Sequence, residues 1–326
     1  MQTRTLGRTG RTVGAIGMGC WQIGGSWGSV DEDAALATLQ AAAAAGVTFF
    51  DTADVYGDGR SERLIGRFLP SAPEGVVVAT KMGRRADPHE APQYSLDNFR
   101  AWNDRSRENL GVDTLDLVQL HCPPPPVLST DQVFDDLDTL VQEGRTRAYG
   151  VSVETVAEGL QAVARPNVAS VQIILNPLRL KPVTEFLPAA AEAGVGVVVR
   201  VPLASGLLSG KIDENTTFAA DDHRTFNRHG ESFDVGETFA GVPFDVGVQA
   251  ARRLADVAGG TPLAAFTLRW IVEQPGVSVV IPGARSAEQA RANAAAADLP
   301  APTAAQASAV EEVYRDLVAE HVHDRW

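Results

Sequence analysis

The sequence predicts an α/β fold: a (β/α)8 TIM barrel forming a single domain over residues 1–326. Three observations predict it. Apolar strand-like runs alternate with helix-like stretches along most of the chain, which is the pattern of a parallel sheet. The length accommodates the roughly 250 residues that eight strand-helix units need, with insertions. Three successive strand-like runs also end in polar side chains at Asp51, Lys81 and His121, where such barrels place their chemistry.

The elements follow in order. A first strand is expected near residues 13–17. Residues 31–45 read as a helix, opened by Asp31-Glu32-Asp33 at the positive end of its dipole and closed by Gly46. The strand ending at Asp51 follows, then a short helix over 61–69 that Pro70 stops, then the strand 76–81. Residues 95–110 form the next helix, ended by Gly111, and the strand 117–121 leads into Pro123-Pro124-Pro125-Pro126, read as a loop. Helix 131–143, strand 147–152, helix 156–163, strand 170–175, helix 183–193 and strand 195–201 continue the alternation. Helix 262–273, strand 277–281 and helix 287–297 complete it. Residues 212–244 interrupt it with a long loop after strand seven, read either as a lid over the strand ends or as a mobile solvent loop. A helical tail near 305–319 is read as a packing element.

Composition narrows the function classes. A formal charge of -13 argues against nucleic-acid partners, which draw on clustered cations. No apolar run approaches the roughly 20 residues that span a bilayer, and Met1-Gln2-Thr3-Arg4-Thr5 carries no apolar signal region, so a soluble cytoplasmic protein without membrane partners is expected. Cys20 and Cys122 form neither a disulfide framework nor a Cys-x-x-Cys pair. His223 and His229 match no zinc spacing and are read as solvated, so no metal is expected. Nothing in the chain signals an oligomeric state.

Asp51, Tyr56, Lys81 and His121 supply a carboxylate, a phenol, an ammonium and an imidazole. A tyrosine hydroxyl titrates near pH 10, and an ammonium within hydrogen-bond reach stabilises its phenolate. Lys81 can serve Tyr56 in this way, Asp51 can keep Lys81 charged, and His121 can polarise a carbonyl oxygen. Together they fit reversible proton transfer to a carbonyl oxygen. Asp54 reads as a turn residue bonding local backbone.

These residues carry a resemblance. The segment Asp51-Thr52-Ala53-Asp54-Val55-Tyr56-Gly57, Lys81 and Leu120-His121 resemble the aldo-keto reductase superfamily in its bacterial form. So do Gly17-Met18-Gly19-Cys20-Trp21, Gly150-Val151-Ser152, Gln172 with Asn176, the stretch from Pro202 to Lys211, and Ile281-Pro282-Gly283-Ala284-Arg285. The resemblance implies an NAD(P)H-dependent reductase acting on a small aldehyde, ketone or sugar, with Tyr56 as general acid, Lys81 and Asp51 tuning it, and His121 orienting the carbonyl. Trp21, Tyr56 and His121 would shape the substrate mouth with the loop around Phe226.

The cofactor follows from the same resemblance, not from a dinucleotide fingerprint. Gly17-Met18-Gly19 has Gln22 at the third glycine position, and Tyr56 is followed four residues later by Arg60, so Rossmann and short-chain dehydrogenase patterns fail. Barrels bind phosphate through the loops after strands seven and eight, here 203–211 and 282–286, where Ser205, Gly206, Ser209 and Gly210 allow close backbone approach. Implied contacts are Gly19 and Trp21; Ser152 and Gln172 on the carboxamide; Arg200, Pro202, Leu203, Leu208 and Lys211; Gly283; Arg285 at a ribose 2'-phosphate; and Gln289 and Asn293 at the adenine. The pattern favours NADPH over NADH. It departs from many relatives at Gly283 and Gln289, where they carry a lysine and an arginine, at Arg200, where they carry an aromatic residue, and at Val153, where an amide is common. Two other functions compete: a non-catalytic nicotinamide-sensing subunit, and a Schiff-base aldolase using Lys81.

Overall fold

Eight parallel strands pair strictly in chain order in a computed structural model that describes residues 1–25 and 31–326. They are β1 (Met18–Gly19), β2 (Phe49–Asp51), β3 (Val77–Met82), β4 (Leu117–His121), β5 (Tyr149–Ser152), β6 (Val168–Ile174), β7 (Gly196–Arg200) and β8 (Val277–Val280). Parallel bridges from Ile16 to Val280 and from Gly19 to Gly283 join first strand to last. The sheet therefore closes into the expected barrel. Helices Glu32–Ala44, Arg60–Phe68, Leu96–Leu110, Asp131–Gln142, Val156–Val163, Lys181–Glu192 and Leu263–Val272 connect successive strands, and Ala287–Ala295 follows the last.

The alternation of strand side chains explains what the barrel holds. Phe49, Val77, Ala79, Leu117, Val198 and Val279 point inward as one apolar cluster, while Phe50, Val78, Val118 and Leu120 belong to the layer beneath the helices. The inward phase continues upward to Asp51, Lys81, Gln119 and His121. Period two thus delivers apolar residues to the lower interior and polar ones to its upper rim.

The first strand differs from expectation. Thr12–Gly14 pairs antiparallel with Thr3–Thr5, and the barrel strand itself is Met18–Gly19. Leu6 and Val13 of this hairpin join the inner cluster and plug the bottom of the barrel. Gly7, at φ +44°, packs its backbone so closely on Gly196 that a Cβ would lie 1.9 Å from the Gly196 nitrogen.

Local chemistry sets the helix ends. Asp31 caps the first connecting helix by accepting from the Asp33 and Ala34 N–H groups, and Thr155 with Glu158 forms a reciprocal capping box, each worth about 1 kcal/mol. The proline run is corrected. Pro125–Leu128 is one helical turn, because prolines in the first turn forfeit only N–H groups that lack helical partners anyway.

The long loop is also more ordered than its sequence suggests. It contains the turn of helix His223–Phe226 and two 3-10 turns, Val235–Glu237 and Phe239–Gly241. Phe239 packs on Phe218 and Phe244 with ring centroids 5.8 and 5.2 Å apart, and Asn227 Oδ1 accepts from the Ser232 and Phe233 N–H groups. Helix Phe244–Val257 follows, a helix the strand-helix alternation did not reveal. The tail runs through Ala304–Val313, the wide turns Tyr314–Val318 and Ala319–Val322. Trp326 then docks under the loop, 3.8 Å from the Arg179 guanidinium, with its Nε1 donating to Asp234 Oδ1 at 3.0 Å. Among the described residues no helix is long and apolar enough to cross a membrane.

Candidate active site

Asp51, Lys81 and His121 sit at the upper ends of β2, β3 and β4, and Tyr56 hangs from the turn after β2. The structure brings all four together. Lys81 Nζ donates to Asp51 Oδ1 at 2.5 Å, to the Thr52 carbonyl at 2.9 Å and to Tyr56 Oη at 3.4 Å. The His121 ring meets Tyr56 edge-on, with centroids 5.9 Å apart. The Tyr56 turn is pinned from below: Thr52 Oγ1 donates to Ser61 Oγ, which donates to the Cys20 carbonyl. Gly24 and Gly57 let two loops touch there, since a Cβ on Gly57 would lie 1.8 Å from the Gly24 oxygen.

Each protonation state has a cause. Burial raises the Tyr56 pKa and outweighs the lowering by Lys81, so the phenol holds its proton at neutral pH. Burial would lower Lys81, but Asp51 and then Tyr56 more than offset it and keep the ammonium charged. Burial, then Arg84, Lys81 and Arg200, press His121 well below its ordinary value. The imidazole is therefore neutral, with one N–H to offer a carbonyl oxygen.

Two glutamines complete the base of the site. Asp51 Oδ2 accepts from Gln172 Nε2 at 2.7 Å and from Gln119 Nε2 at 3.1 Å. Sequence reasoning passed over Gln119. Its signal is an amide in the inward phase of an otherwise apolar strand, two residues before His121. The Gln172 amide nitrogen, expected at a carboxamide, is engaged with Asp51.

Asp54 sits in a turn, as expected, but its carboxyl faces the interior. It is fully buried, and its carboxyl oxygens have no well-formed hydrogen bond among the described residues, the Val55 N–H being only a weak neighbour. Neighbouring Glu62 takes the available donors, from Thr80 at 2.6 Å and Asn109 at 2.8 Å. Burial, and next the Glu62 charge, push the Asp54 carboxyl up to about 7. His223 is corrected: it is buried, with its ring 4.9 Å from that of Trp21, because the aromatic packing of the loop folds it inward. Phe226, on the same turn, stays partly exposed and packs edge-on against Phe233.

A cavity of about 610 Å³ runs from Tyr56 and Asp51 across the barrel mouth to the start of helix Ala287–Ala295. Gly19, Trp21, Gln172, Arg200, Pro202 and Leu203 line its inner part. Ser205, Gly206, Lys211, Gly283, Arg285, Gln289 and Asn293 line the outer part. Ser152, Leu208 and Gly210 do not line the cavity, and Gly210 is exposed at the surface. Ser152 Oγ is 3.6 Å from Cys122 Sγ, and Leu208 is in the core. Gln22, Thr216, Phe218 and Arg224 also line it, unforeseen from sequence. The Gln22 amide packs against Gly283, where a Cβ would lie 2.1 Å from it unless the side chain moved.

The cavity suits a dinucleotide in size and in polar groups. Ser205 and Gly206 take left-handed backbone at φ 53° and 101°, Gln22 Oε1 is buried without a partner, and Lys211 and Arg285 pair with no carboxylate among the described residues. Ser205 Oγ, however, bonds the Glu237 carbonyl and the Phe239 N–H, tying the cavity wall to the long loop.

Comparison with known proteins gives a consistent result. Residues 15–315 match the Aldo/keto reductase family. The chain is 29% identical over 299 residues to the aldo-keto reductase YhdN of Bacillus subtilis (strain 168), covering 90% of this chain and 87% of that protein. Among solved structures, a glycerol dehydrogenase from Gluconobacter oxydans superposes with a TM-score of 0.78 at 28% identity, over 98% of this chain and 96% of that one. An aldo-keto reductase from Bacillus halodurans in its holo form gives 0.78 at 26% identity, over 99% of each.

Proposed function

The chain belongs to the aldo/keto reductase family, and on that premise we propose that it reduces the carbonyl of a small aldehyde, ketone or sugar with NADPH. The observation that carries this reading is the buried row Asp51, Lys81, Tyr56, of which Asp51 and Tyr56 line a dinucleotide-sized cavity. When bound, the reduced nicotinamide supplies the hydride. A substrate carbonyl oxygen lies between Tyr56 Oη and the His121 N–H, which polarises the C=O bond. The carbonyl carbon gains the hydride with its electron pair, the C=O π pair moves to oxygen, and Tyr56 gives that oxygen its proton. Lys81, held charged by Asp51, stabilises the phenolate that results.

Lys211 and Arg285 are cations on the cavity wall without carboxylate partners among the described residues, which supports a 2'-phosphate and hence NADPH. The carboxylate against Lys81 also favours reduction over Schiff-base chemistry, since it keeps the amine protonated. The test mixes enzyme with NADPH and a panel of small aldehydes, ketones and sugars and follows cofactor absorbance. Turnover with one of them is expected. Tight nucleotide binding with no turnover in either direction would instead indicate a sensing subunit and overturn the proposal.

A further inference from the structure

Four charged side chains meet beside the reacting end of the cavity, and the steps above use none of them. Arg84 follows β3, Glu154 follows β5, Arg200 ends β7, and Glu237 returns from the long loop. Arg200 Nη2 donates to Glu154 Oε2 at 2.6 Å and to the Val153 carbonyl at 3.0 Å. Arg84 Nη2 donates to Glu237 Oε1 at 3.0 Å and lies 3.5 Å from Glu154 Oε1, while Arg200 Nη1 lies 3.8 Å from Glu237. The side chains of Glu154 and Arg200 are 13% and 9% exposed. Cys122, Glu154 and Glu237 bring ligand atoms within 4.8 Å of one another, yet the two guanidiniums already satisfy both carboxylates, so the cluster is not a metal site.

The position of Arg200 gives the cluster a role. It lines the same cavity wall as Tyr56 and Gln172, and its Nη2 is 3.8 Å from Cys122 Sγ, the residue after His121. A carbonyl held by Tyr56 and His121 would receive its hydride from a ring about 3–3.5 Å away, within the cavity whose wall carries the Arg200 guanidinium. The nicotinamide ring is neutral when reduced and positive when oxidised. An uncompensated guanidinium would therefore penalise the oxidised form alone.

We propose that Glu154, with Glu237, is a positioning residue that cancels the charge of Arg200 beside the nicotinamide and so sets the relative affinity of the site for oxidised and reduced cofactor. Glu154 is absent from the cavity wall and acts through Arg200. Glu237 also carries the loop, so Glu154 is the cleaner probe. The inference rests on the nicotinamide reading given above.

The test is calorimetric titration of the full chain with NADP and with NADPH at pH 8.5, where both carboxylates are ionised. Glu154→Gln keeps a hydrogen-bond acceptor for Arg200 and removes the charge. It should raise the ratio of the NADP to the NADPH dissociation constant about tenfold, the order expected of one unscreened charge in a buried site. Arg200→Gln should move that ratio the opposite way, which keeps the test decisive if Glu154→Gln fails to fold. The double variant should return it to within about threefold of wild type. A structural lesion would weaken both ligands alike. An unchanged ratio in Glu154→Gln, or shifts of the same sign in both single variants, overturns the inference. Failure of the wild type to bind either nucleotide would overturn the nicotinamide reading itself, and the inference with it.

Discussion

Asp54→Asn should stabilise the protein, and only above acidic pH. The Asp54 carboxyl is fully buried without a well-formed hydrogen bond among the described residues, and burial followed by the nearby Glu62 charge pushes it from 3.8 up to about 7. Below the unfolded value, both states are protonated and the group has no effect on folding. As pH rises, the unfolded chain releases its proton while the folded chain keeps it, and stability is lost until the folded value is passed. Moving a carboxyl from 3.8 to about 7 corresponds to about 4 kcal/mol at ~1.4 kcal/mol per pH unit. Asparagine has the same shape and no charge to bury. Urea unfolding followed by tryptophan fluorescence should give nearly equal stabilities for variant and wild type near pH 4 and a gap of about 2–4 kcal/mol in favour of the variant at pH 8. Using the difference between the two proteins cancels the titration of every other group. A gap that does not change with pH, or a variant less stable at pH 8, would refute the reasoning.

Two further outcomes test other parts of the structure. Trp326→Ala removes a buried ring and the only aromatic cover of the Arg179 guanidinium among the described residues, so unfolding should be easier by about 3–5 kcal/mol, with limited proteolysis appearing within residues 230–243. Arg285→Ala should weaken NADPH about tenfold while leaving NADH within about twofold, as read by titration, because its cation lies on the cavity wall without a carboxylate partner among the described residues.

The barrel was legible because its signal is local. Helix Val156–Val163 begins and ends where the apolar period and capping residues place it, and β2, β3 and β4 end on the polar residues that mark the rim. Asp51, Lys81 and His121 could be found for the same reason, since each ends a strand-like run, and Tyr56 follows five residues after the first of them. The residues that escaped notice depend on contacts distant in sequence. Glu237 reaches Arg84 across 153 positions, and Trp326 reaches Asp234 across 92, so no window of sequence reveals either pair. The loop carrying Glu237 lacks helical or strand period because it folds on scattered aromatic rings and on the Asn227 side chain. Met18–Gly19 was misplaced by a few residues because a two-residue strand of small side chains gives almost no alternation, and the stronger β pattern nearby belongs to the hairpin. The burial of Asp54 was not legible, because an aspartate in a turn looks the same whether its carboxyl meets solvent or the interior.

The most direct measurement is single-turnover reduction of an active carbonyl substrate by Tyr56→Phe preloaded with NADPH, alongside nucleotide titration of the same variant. With Tyr56 as the proton donor, the reduction rate should fall by about 10²–10⁴ while the NADPH dissociation constant stays within about twofold. Reduction at the wild-type rate by Tyr56→Phe would contradict the account.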